Sequence, residues 1–246
     1  MKPFVLAALA AAVCLGQPSR PVETFQTKAG PLKVTAIRHA SVMIEAGGQV
    51  IHIDPWSQGN YDGLPVADLI LITDIHGDHL DLKILPKVRK EGTVIVAPEA
   101  VAKTLPGAEV LANGQSRTIG KWTIQAVPMY NEKRGPSEGK FFHDKGRGNG
   151  YVVSYGGLRL YFSGDSEGVA EMRALRNIDV AFVAMNLPYT MPPEEAAEAV
   201  KAFHPRIVYP YHYRGPISRY LNRHWQAPAS RFAYGTGITE LAQESD

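Results

Sequence analysis

A cluster of acidic and imidazole side chains directly after an apolar strand is the feature that most constrains this chain. Residues 69–72 form a strand-like apolar run, and residues 73–81 follow it at once. Five of these nine residues can ligate a metal or hold a proton, namely Asp74, His76, Asp78, His79 and Asp81. Charges beside a buried strand must be desolvated at a cost to folding, and a bound divalent cation would offset that cost. A capped loop with solvated acids is the alternative, and acid and His positions downstream argue against it.

The donor types indicate which metal would bind. Imidazole nitrogens mixed with carboxylate oxygens suit zinc, and also manganese or iron. The one cysteine, Cys14, lies in the apolar N-terminal segment, so no thiolate is expected as ligand or nucleophile. We therefore expect one or two divalent ions, with zinc preferred, and chemistry that rests on His, Asp, Asn and Tyr.

The length and charge set broad bounds. A chain of 246 residues with 45% hydrophobic and 20% charged residues is typical of a globular protein and is compatible with one domain. A net charge of +2 gives no basis for a nucleic-acid partner. We expect a small-molecule substrate, and no oligomeric state follows from the sequence.

The N-terminus has the plan of a secretory signal peptide over residues 1–16. Lys2 precedes an apolar stretch at 4–15, and the chain then turns polar. The stretch is short for a membrane span, so a membrane anchor is the weaker alternative. We expect cleavage near Gly16, a secreted or periplasmic location, and no stable membrane insertion afterwards.

The rest of the chain has no linker rich enough to divide it. Residues 17–30 contain Pro18, Pro21 and Gly30 and predict a linker or loosely held arm, which leaves 31–246 as one domain. Local patterns predict strands at 33–37, 41–45, 49–53, 69–72, 93–97, two within 116–127, then 151–155, 158–163, 179–184 and 207–209, with helices at 99–104, 169–175 and 193–203. Two packed sheets with helices outside would use this inventory.

Several motifs in order resemble the metallo-β-lactamase superfamily. Residues 73–79 resemble its His-x-His-x-Asp-His signature, and His39-Ala40-Ser41, Ile53-Asp54-Pro55, Gly164-Asp165 and Pro210-Tyr211-His212 resemble further family segments. The similarity spans residues 32–215 and is closest to the ascorbate-phosphate lactonase-like (UlaG-like) branch. The resemblance implies a four-layer αββα sandwich of the α/β class. It also implies a metal-dependent hydrolase acting on an ester, lactone, amide or phosphodiester, and the N-terminal pattern predicts that this hydrolase is exported.

The resemblance also implies a ligand set with two departures. Asp78, His79 and His212 match one metal site, with Asp165 as the possible bridge, and Asp78 or Asp165 would act on the attacking water as general base. In the other site His76 is intact. The first His of the motif is Asp74 here, and Asn131 stands where the family has a third histidine.

The loop at 131–150 offers a replacement imidazole. It could fold back and deliver His143 to Asp74 and His76, whereas the alternative is a surface His in a mobile loop. Asp74 would make that site more negative than three imidazoles would, which favours a harder metal. Substrate contacts are predicted for His39, Asn131, Tyr213 and Arg214. The loop cations could form a positive mouth for an anionic substrate, or could simply be solvated.

Two other functions stay open at this stage. One is a binding protein of the same fold with a single metal and weakened catalysis, which the altered residues Asp74 and Asn131 favour. The other is an iron oxidoreductase in the same fold, although no cysteine or flavin-binding segment supports it.

Overall fold

Two seven-stranded sheets make up the framework of this protein. The computed structural model describes residues 20–213 and, for its backbone, the short strand at 231–232. The first sheet holds its strands in chain order: β1 (Val22–Thr27), β2 (Gly30–Arg38), β3 (Ser41–Ala46), β4 (Gln49–Ile53), β5 (Ala67–Leu71), β6 (Arg89–Ala97) and β7 (Glu109–Val110). The first four strands pair antiparallel and the later ones parallel.

The second sheet contains the other half of the strands, again in chain order. They are β8 (Ser116–Ile119), β9 (Trp122–Met129), β10 (Gly148–Tyr155), β11 (Leu158–Phe162), β12 (Val180–Met185), β13 (Ile207–Tyr213) and β14 (Arg231–Phe232). Strands β8 to β11 pair antiparallel, and β11 to β14 pair parallel.

Three layers of apolar side chains join the sheets and helices into an αββα sandwich. The helices of the described residues are α1 (Leu85–Val88), α2 (Glu99–Ala102), α3 (Ala170–Arg173) and α4 (Pro193–Phe203). The central layer contains side chains of both sheets, the second packs α3 and α4 on the second sheet, and the third packs α1 and α2 on the first sheet. Strand alternation decides the layer: Val42 and Ile44 face the other sheet, and Met43 faces the helices. The four-layer fold is confirmed.

The edge strand β1 differs from the linker or arm predicted for 17–30. It pairs with β2 from Val22↔Thr35 to Thr27↔Gly30. Phe25 packs against the central apolar layer, and its neighbours alternate in exposure. The segment is a strand because it gives the open backbone groups of β2 a hydrogen-bonding partner. Strands β7 and β14 and helix α1 were likewise not predicted.

The parallel arrangement brings several strand ends to one edge of the sandwich. Strands β2, β4 and β5 run in the same direction, as do β9, β11, β12 and β13. The segments that follow these strands therefore meet at one edge, where ligands bind in open α/β sheets. No helix of residues 20–213 is long and apolar enough to cross a membrane. The predicted signal peptide at 1–16 lies outside the described residues.

Candidate metal centre

Three groups of metal-ligating side chains meet at this edge of the described structure. They are Asp74, His76 and His143; His79, Asp165 and His212; and His39, Asp78 and His212. Within each group the ligand atoms lie within 4.8 Å of one another. His212 belongs to two of the groups, and Asp165 lies close to His143 of the first group. The three groups therefore form one continuous centre.

The first group is completed by the loop between β9 and β10. The loop folds back and places His143 Nε2 at 4.0 Å from Asp74 Oδ2, while His76 Nδ1 lies 3.0 Å from the same oxygen. Ligands of a tetrahedral zinc ion with bonds of about 2.0–2.1 Å stand about 3.3 Å apart. The spacing of these three ligand atoms therefore fits one ion.

The second group surrounds Asp165. His79 Nε2 lies 3.3 Å from Asp165 Oδ2, and His212 Nε2 lies 3.2 Å from Asp165 Oδ1 and from Asp78 Oδ2. Asp165 Oδ2 is also 3.1 Å from His143 Nε2. Asp165 thus stands between the two groups, where a bridging ligand would have to be.

Buried atoms without hydrogen bonds mark the same place. His79 Nε2, His143 Nε2 and Asp165 Oδ1 are all buried and make no hydrogen bond. Buried polar atoms are normally paired, and unpaired ones call for an explanation. Because all three are good metal-ligating atoms and converge on one point, the residues present fit a bound divalent cation.

His79 is oriented from behind by Asp54. Its Nδ1 lies 2.8 Å from Asp54 Oδ2, and the same carboxylate accepts hydrogen bonds from Thr73 N at 2.7 Å and Thr73 Oγ1 at 2.6 Å. Asp54 has a left-handed backbone, with φ of 43°, which is uncommon outside glycine. The carboxylate holds the ring so that Nε2 faces the centre, a common arrangement behind metal-binding histidines.

The charges in the centre depend on one another. Burial raises the pKa of Asp165, but His212 and His79 outweigh it and hold this pKa well below its usual range. Burial likewise raises the pKa of Asp78, and hydrogen bonds from His212 and His39 lower it further than burial raises it. Both carboxylates are therefore ionised at neutral pH.

Arg147 neutralises Asp74. Its Nε and Nη2 donate to the two carboxylate oxygens at 3.1 and 2.9 Å. Burial raises the pKa of Asp74, but His76, His79 and Arg147 together lower it to about 2. The expectation of a more negative first site is corrected, because the guanidinium compensates the charge that the carboxylate adds.

Three other cations of the loop are also paired, which weakens the case for a positive mouth at this side of the centre. Lys133 and Arg134 contact Glu195, and Lys145 contacts Glu171. A paired cation has less charge left to attract a distant anion, so these three side chains give little support for an anionic substrate.

A cavity of about 290 Å³ opens over the centre and is lined by His76, Asp78, His143, Asp165 and His212. Phe142, Asn186 and Tyr189 also line it, with the Phe142 and Tyr189 rings 5.0 Å apart in an edge-to-face contact. The sequence did not point to these three residues, because they come from two loops whose meeting has no local pattern.

The predicted substrate contacts mostly lie elsewhere. His39 Nε2 is 3.4 Å from Asp78 Oδ2 and its ring is 3.8 Å from that of His212, behind the cavity wall. Asn131 is buried and its Oδ1 lies 2.7 Å from His143 Nδ1, so it supports that ring instead of reaching the cavity. Tyr213 packs in the apolar layer beneath α3 and α4. Arg214 lies outside the described residues.

Known proteins are similar to this chain in both sequence and fold. A family model described as the beta-lactamase superfamily domain matches residues 33–212. A UPF0173 metal-dependent hydrolase of Thermococcus kodakarensis is 32% identical over 191 residues, covering 74% of this chain and 84% of that protein.

Two solved structures agree with this match. A protein of Parabacteroides distasonis assigned as a metal-dependent hydrolase is 42% identical, with a TM-score of 0.75 and coverage of 79% of this chain and 89% of that chain. Igni18, a metallo hydrolase from Ignicoccus hospitalis, is 26% identical, with a TM-score of 0.60 and coverage of 74% and 82%. The UlaG-like branch stays a prediction. The chain belongs to the metallo-β-lactamase superfamily and is a metal-dependent hydrolase.

Proposed function

We propose that this protein is a two-metal hydrolase that cleaves a carbonyl substrate, an ester, lactone or amide, with zinc as the preferred ion. The observation that carries the proposal is the position of Asp165, whose carboxylate lies within 3.3 Å of His79, His143 and His212. A carboxylate shared by two ligand groups is what a pair of ions requires.

The two ions would be held by different segments of the edge. One would take Asp74, His76 and His143, and the other Asp78, His79 and His212, with Asp165 between them. Bound there, a divalent metal supplies a water whose pKa is lowered to about 7 and polarises the carbonyl oxygen.

Asp78 is the carboxylate best placed to accept the proton of the attacking water. Its side chain is 30% exposed, whereas that of Asp165 is 4% exposed, so Asp78 faces the cavity most openly. It is ionised, and His39 and His212 hold it in place. A general base must lie within hydrogen-bonding reach of the proton it accepts, and the place of Asp78 in the cavity wall would bring it near a water held by the ions.

The surroundings favour a neutral substrate over a phosphodiester. Four cations of the loop beside the centre are paired with carboxylates, and two aromatic rings form part of the cavity wall. Pockets lined by aromatic rings with a few fixed polar groups suit ligands with an apolar part. An aryl or alkyl ester would place its apolar group against Phe142 and Tyr189.

The test combines metal analysis with a substrate panel. We expect two ions per chain and zinc-dependent turnover of nitrophenyl esters or lactones that exceeds turnover of bis-nitrophenyl phosphate. One ion and no turnover on esters, lactones, amides, phosphodiesters or β-lactams would support the weakened binding protein instead. Bound iron with visible absorbance and no hydrolysis would support the oxidoreductase.

Ligand variants test the same site. His79→Ala or His212→Ala should remove most turnover and at least one ion while leaving the fold intact, because the sheets supply the core. The matched control is His204→Asn. His204 ends α4 ahead of β13, at the opposite edge, and asparagine tolerates its left-handed φ of 47°. Wild-type turnover in either ligand variant would contradict the proposal.

We further propose that the chain is exported after cleavage of a signal peptide. The support is the sequence alone: Lys2, the apolar stretch at 4–15 and the polar residues that follow.

A further inference from the structure

We propose that Asn131 and Glu167 are positioning residues that fix the tautomer and place of His143. The inference rests on the proposed function in one respect, since it takes His143 as a ligand of the first ion. Both residues are buried and neither lines the cavity. The role proposed for them is therefore indirect and acts through His143.

The orientation of the Asn131 amide is set by its partners. Its Oδ1 accepts the backbone N–H of His143 at 2.8 Å, a group that can only donate. Its Nδ2 donates to Glu167 Oε1 at 3.1 Å and to the carbonyl oxygen of Tyr189 at 2.9 Å. If the amide were flipped, Nδ2 would face the N–H of His143, and Oδ1 would face the two acceptor oxygens. Only the observed orientation therefore satisfies all three hydrogen bonds.

The orientation of the amide determines which nitrogen of His143 carries the proton. The same Oδ1 lies 2.7 Å from His143 Nδ1. An amide oxygen only accepts, so Nδ1 must carry the hydrogen, and the neutral ring then has its lone pair on Nε2. His143 Nε2 is the buried atom without a hydrogen bond that lies 3.1 Å from Asp165 Oδ2. Asn131 thus presents the lone pair to the centre.

Glu167 anchors the segment that carries the amide. It is buried and accepts the backbone N–H groups of Glu132, Lys133 and Arg134, each at 3.0 Å. Arg134 Nη1 also lies 3.1 Å from Oε1. Hydrogen bonds to an ionised acceptor are stronger than neutral ones. The support therefore runs from a fixed carboxylate through the Asn131 amide to the ring.

The first measurement is the tautomer of His143 in the wild-type protein. Nitrogen-15 NMR of the histidine rings at pH 8, assigned with His143→Ala, should show the proton on Nδ1 both in zinc-loaded protein and after chelation. A ring in the chelated protein that carries its proton on Nε2 and none on Nδ1 would overturn the inference without any variant.

The second measurement is zinc affinity, determined by competition with a chromophoric chelator. Asn131→Leu should weaken one of the two sites by about 10–100-fold, the usual effect of losing a group behind a ligand, and leave the other unchanged. Glu167→Gln should weaken the same site less. The control is Glu195→Gln, which loosens the loop at Arg134 but does not contact Asn131.

Three outcomes separate the possible roles. Unchanged affinity at both sites in Asn131→Leu, or an Nδ1 proton retained in that variant after chelation, would overturn the inference. An equal loss in Glu195→Gln would make the network a general brace of the loop, which also overturns it. Neither readout needs turnover, so a protein with the expected tautomer and affinities but no hydrolysis would refute the proposed function alone.

Discussion

The Asp74 carboxylate contacts two side chains at once. Arg147 donates to both of its oxygens, and His76 Nδ1 lies 3.0 Å from Oδ2. Its side chain is fully buried, so without Arg147 the charge would be uncompensated in the metal-free protein. The pair therefore stabilises the metal-free state and moderates the net charge that an incoming ion meets.

Replacing Arg147 should separate these two effects. Arg147→Met should destabilise the metal-free protein by about 3 kcal/mol, because removing one partner leaves a buried charge unpaired. Zinc would then restore more stability than in the wild type, since it compensates the same carboxylate. Urea unfolding with chelator and with zinc measures both quantities.

The control for this change is Lys145→Met. Lys145 pairs with Glu171, and such exposed pairs are screened by water and contribute little to stability. A metal-free Arg147→Met protein as stable as the wild type would show that Asp74 does not depend on its partner.

The protonation of His79 predicts how stability without metal varies with pH. Burial lowers the pKa of His79, but Asp165 and Asp54 outweigh burial and raise it well above 6.5. A histidine whose pKa is higher in the folded state contributes stability that is fully present below its unfolded pKa. That contribution is lost as the pH rises through the folded pKa, so the chelated protein should lose stability above pH 6.5.

Zinc should remove this dependence. A bound ion takes the place of the proton, so the loaded protein should keep its stability over the same range while zinc affinity rises with pH. Thermal unfolding between about pH 6 and 9, with chelator and with zinc, tests the difference. Parallel curves for the two states would contradict the assignment of His79 as a ligand.

At the scale of elements, the loop between β9 and β10 completes the site. Contacts with separate elements hold it: Arg134 contacts Glu195 on α4, and Lys145 contacts Glu171 on α3. These attachments place His143 beside Asp74 although a long stretch of sequence separates them. The loop is therefore an ordered part of the metal centre, and His143 is not a surface residue.

Removing the imidazole that this loop supplies should cost the first ion. His143→Ala should lower the metal content from two ions per chain to one, because a group of three ligands loses one while Asp78, His79 and His212 stay in place. Elemental analysis of dialysed protein provides the count. Phe141→Ala, an exposed neighbour in the same loop, should keep both ions. Two ions in His143→Ala would refute the role given to this residue.

At the scale of the whole molecule, the apolar layers and the site occupy different places. The apolar layers lie between and outside the sheets, whereas the ligands follow strand ends at one edge. Ligand variants should therefore change metal binding more than they change folding. Residues 1–19 lie outside the described residues, so the prediction of export rests on their sequence.

Export should be visible in the mass of the protein. Protein recovered from expressing cells should lack about the first 16–20 residues, as expected for a cleaved signal peptide. Intact-mass measurement of periplasmic and cytoplasmic fractions decides the matter. A chain that keeps Met1 and stays in the cytoplasm would show that the apolar stretch has another role.

Local patterns were enough to locate most elements of this protein. Short strand-like runs beside turn signals predicted β3, β4 and β11 to within one residue at each end, and the N-terminal proline, first-turn acids and Ala-rich faces predicted α4. Residues 73–79 likewise indicated a metal centre, since their donor types and spacing are local properties. The edge strand β1 escaped prediction because its pairing depends on the exposed edge of β2 and not on its own composition.

The roles of individual side chains depended on contacts between distant segments. The sequence offered His143 as a candidate, but only the folded loop brings it to Asp74. Asn131 had looked like a substrate contact and lies instead behind that ring. Arg147 is one of the loop cations for which the sequence offered a positive mouth or plain solvation, and it neutralises Asp74 instead. Such assignments follow from hydrogen bonds and charge pairs between residues far apart in the chain, and these form only when both sheets have packed.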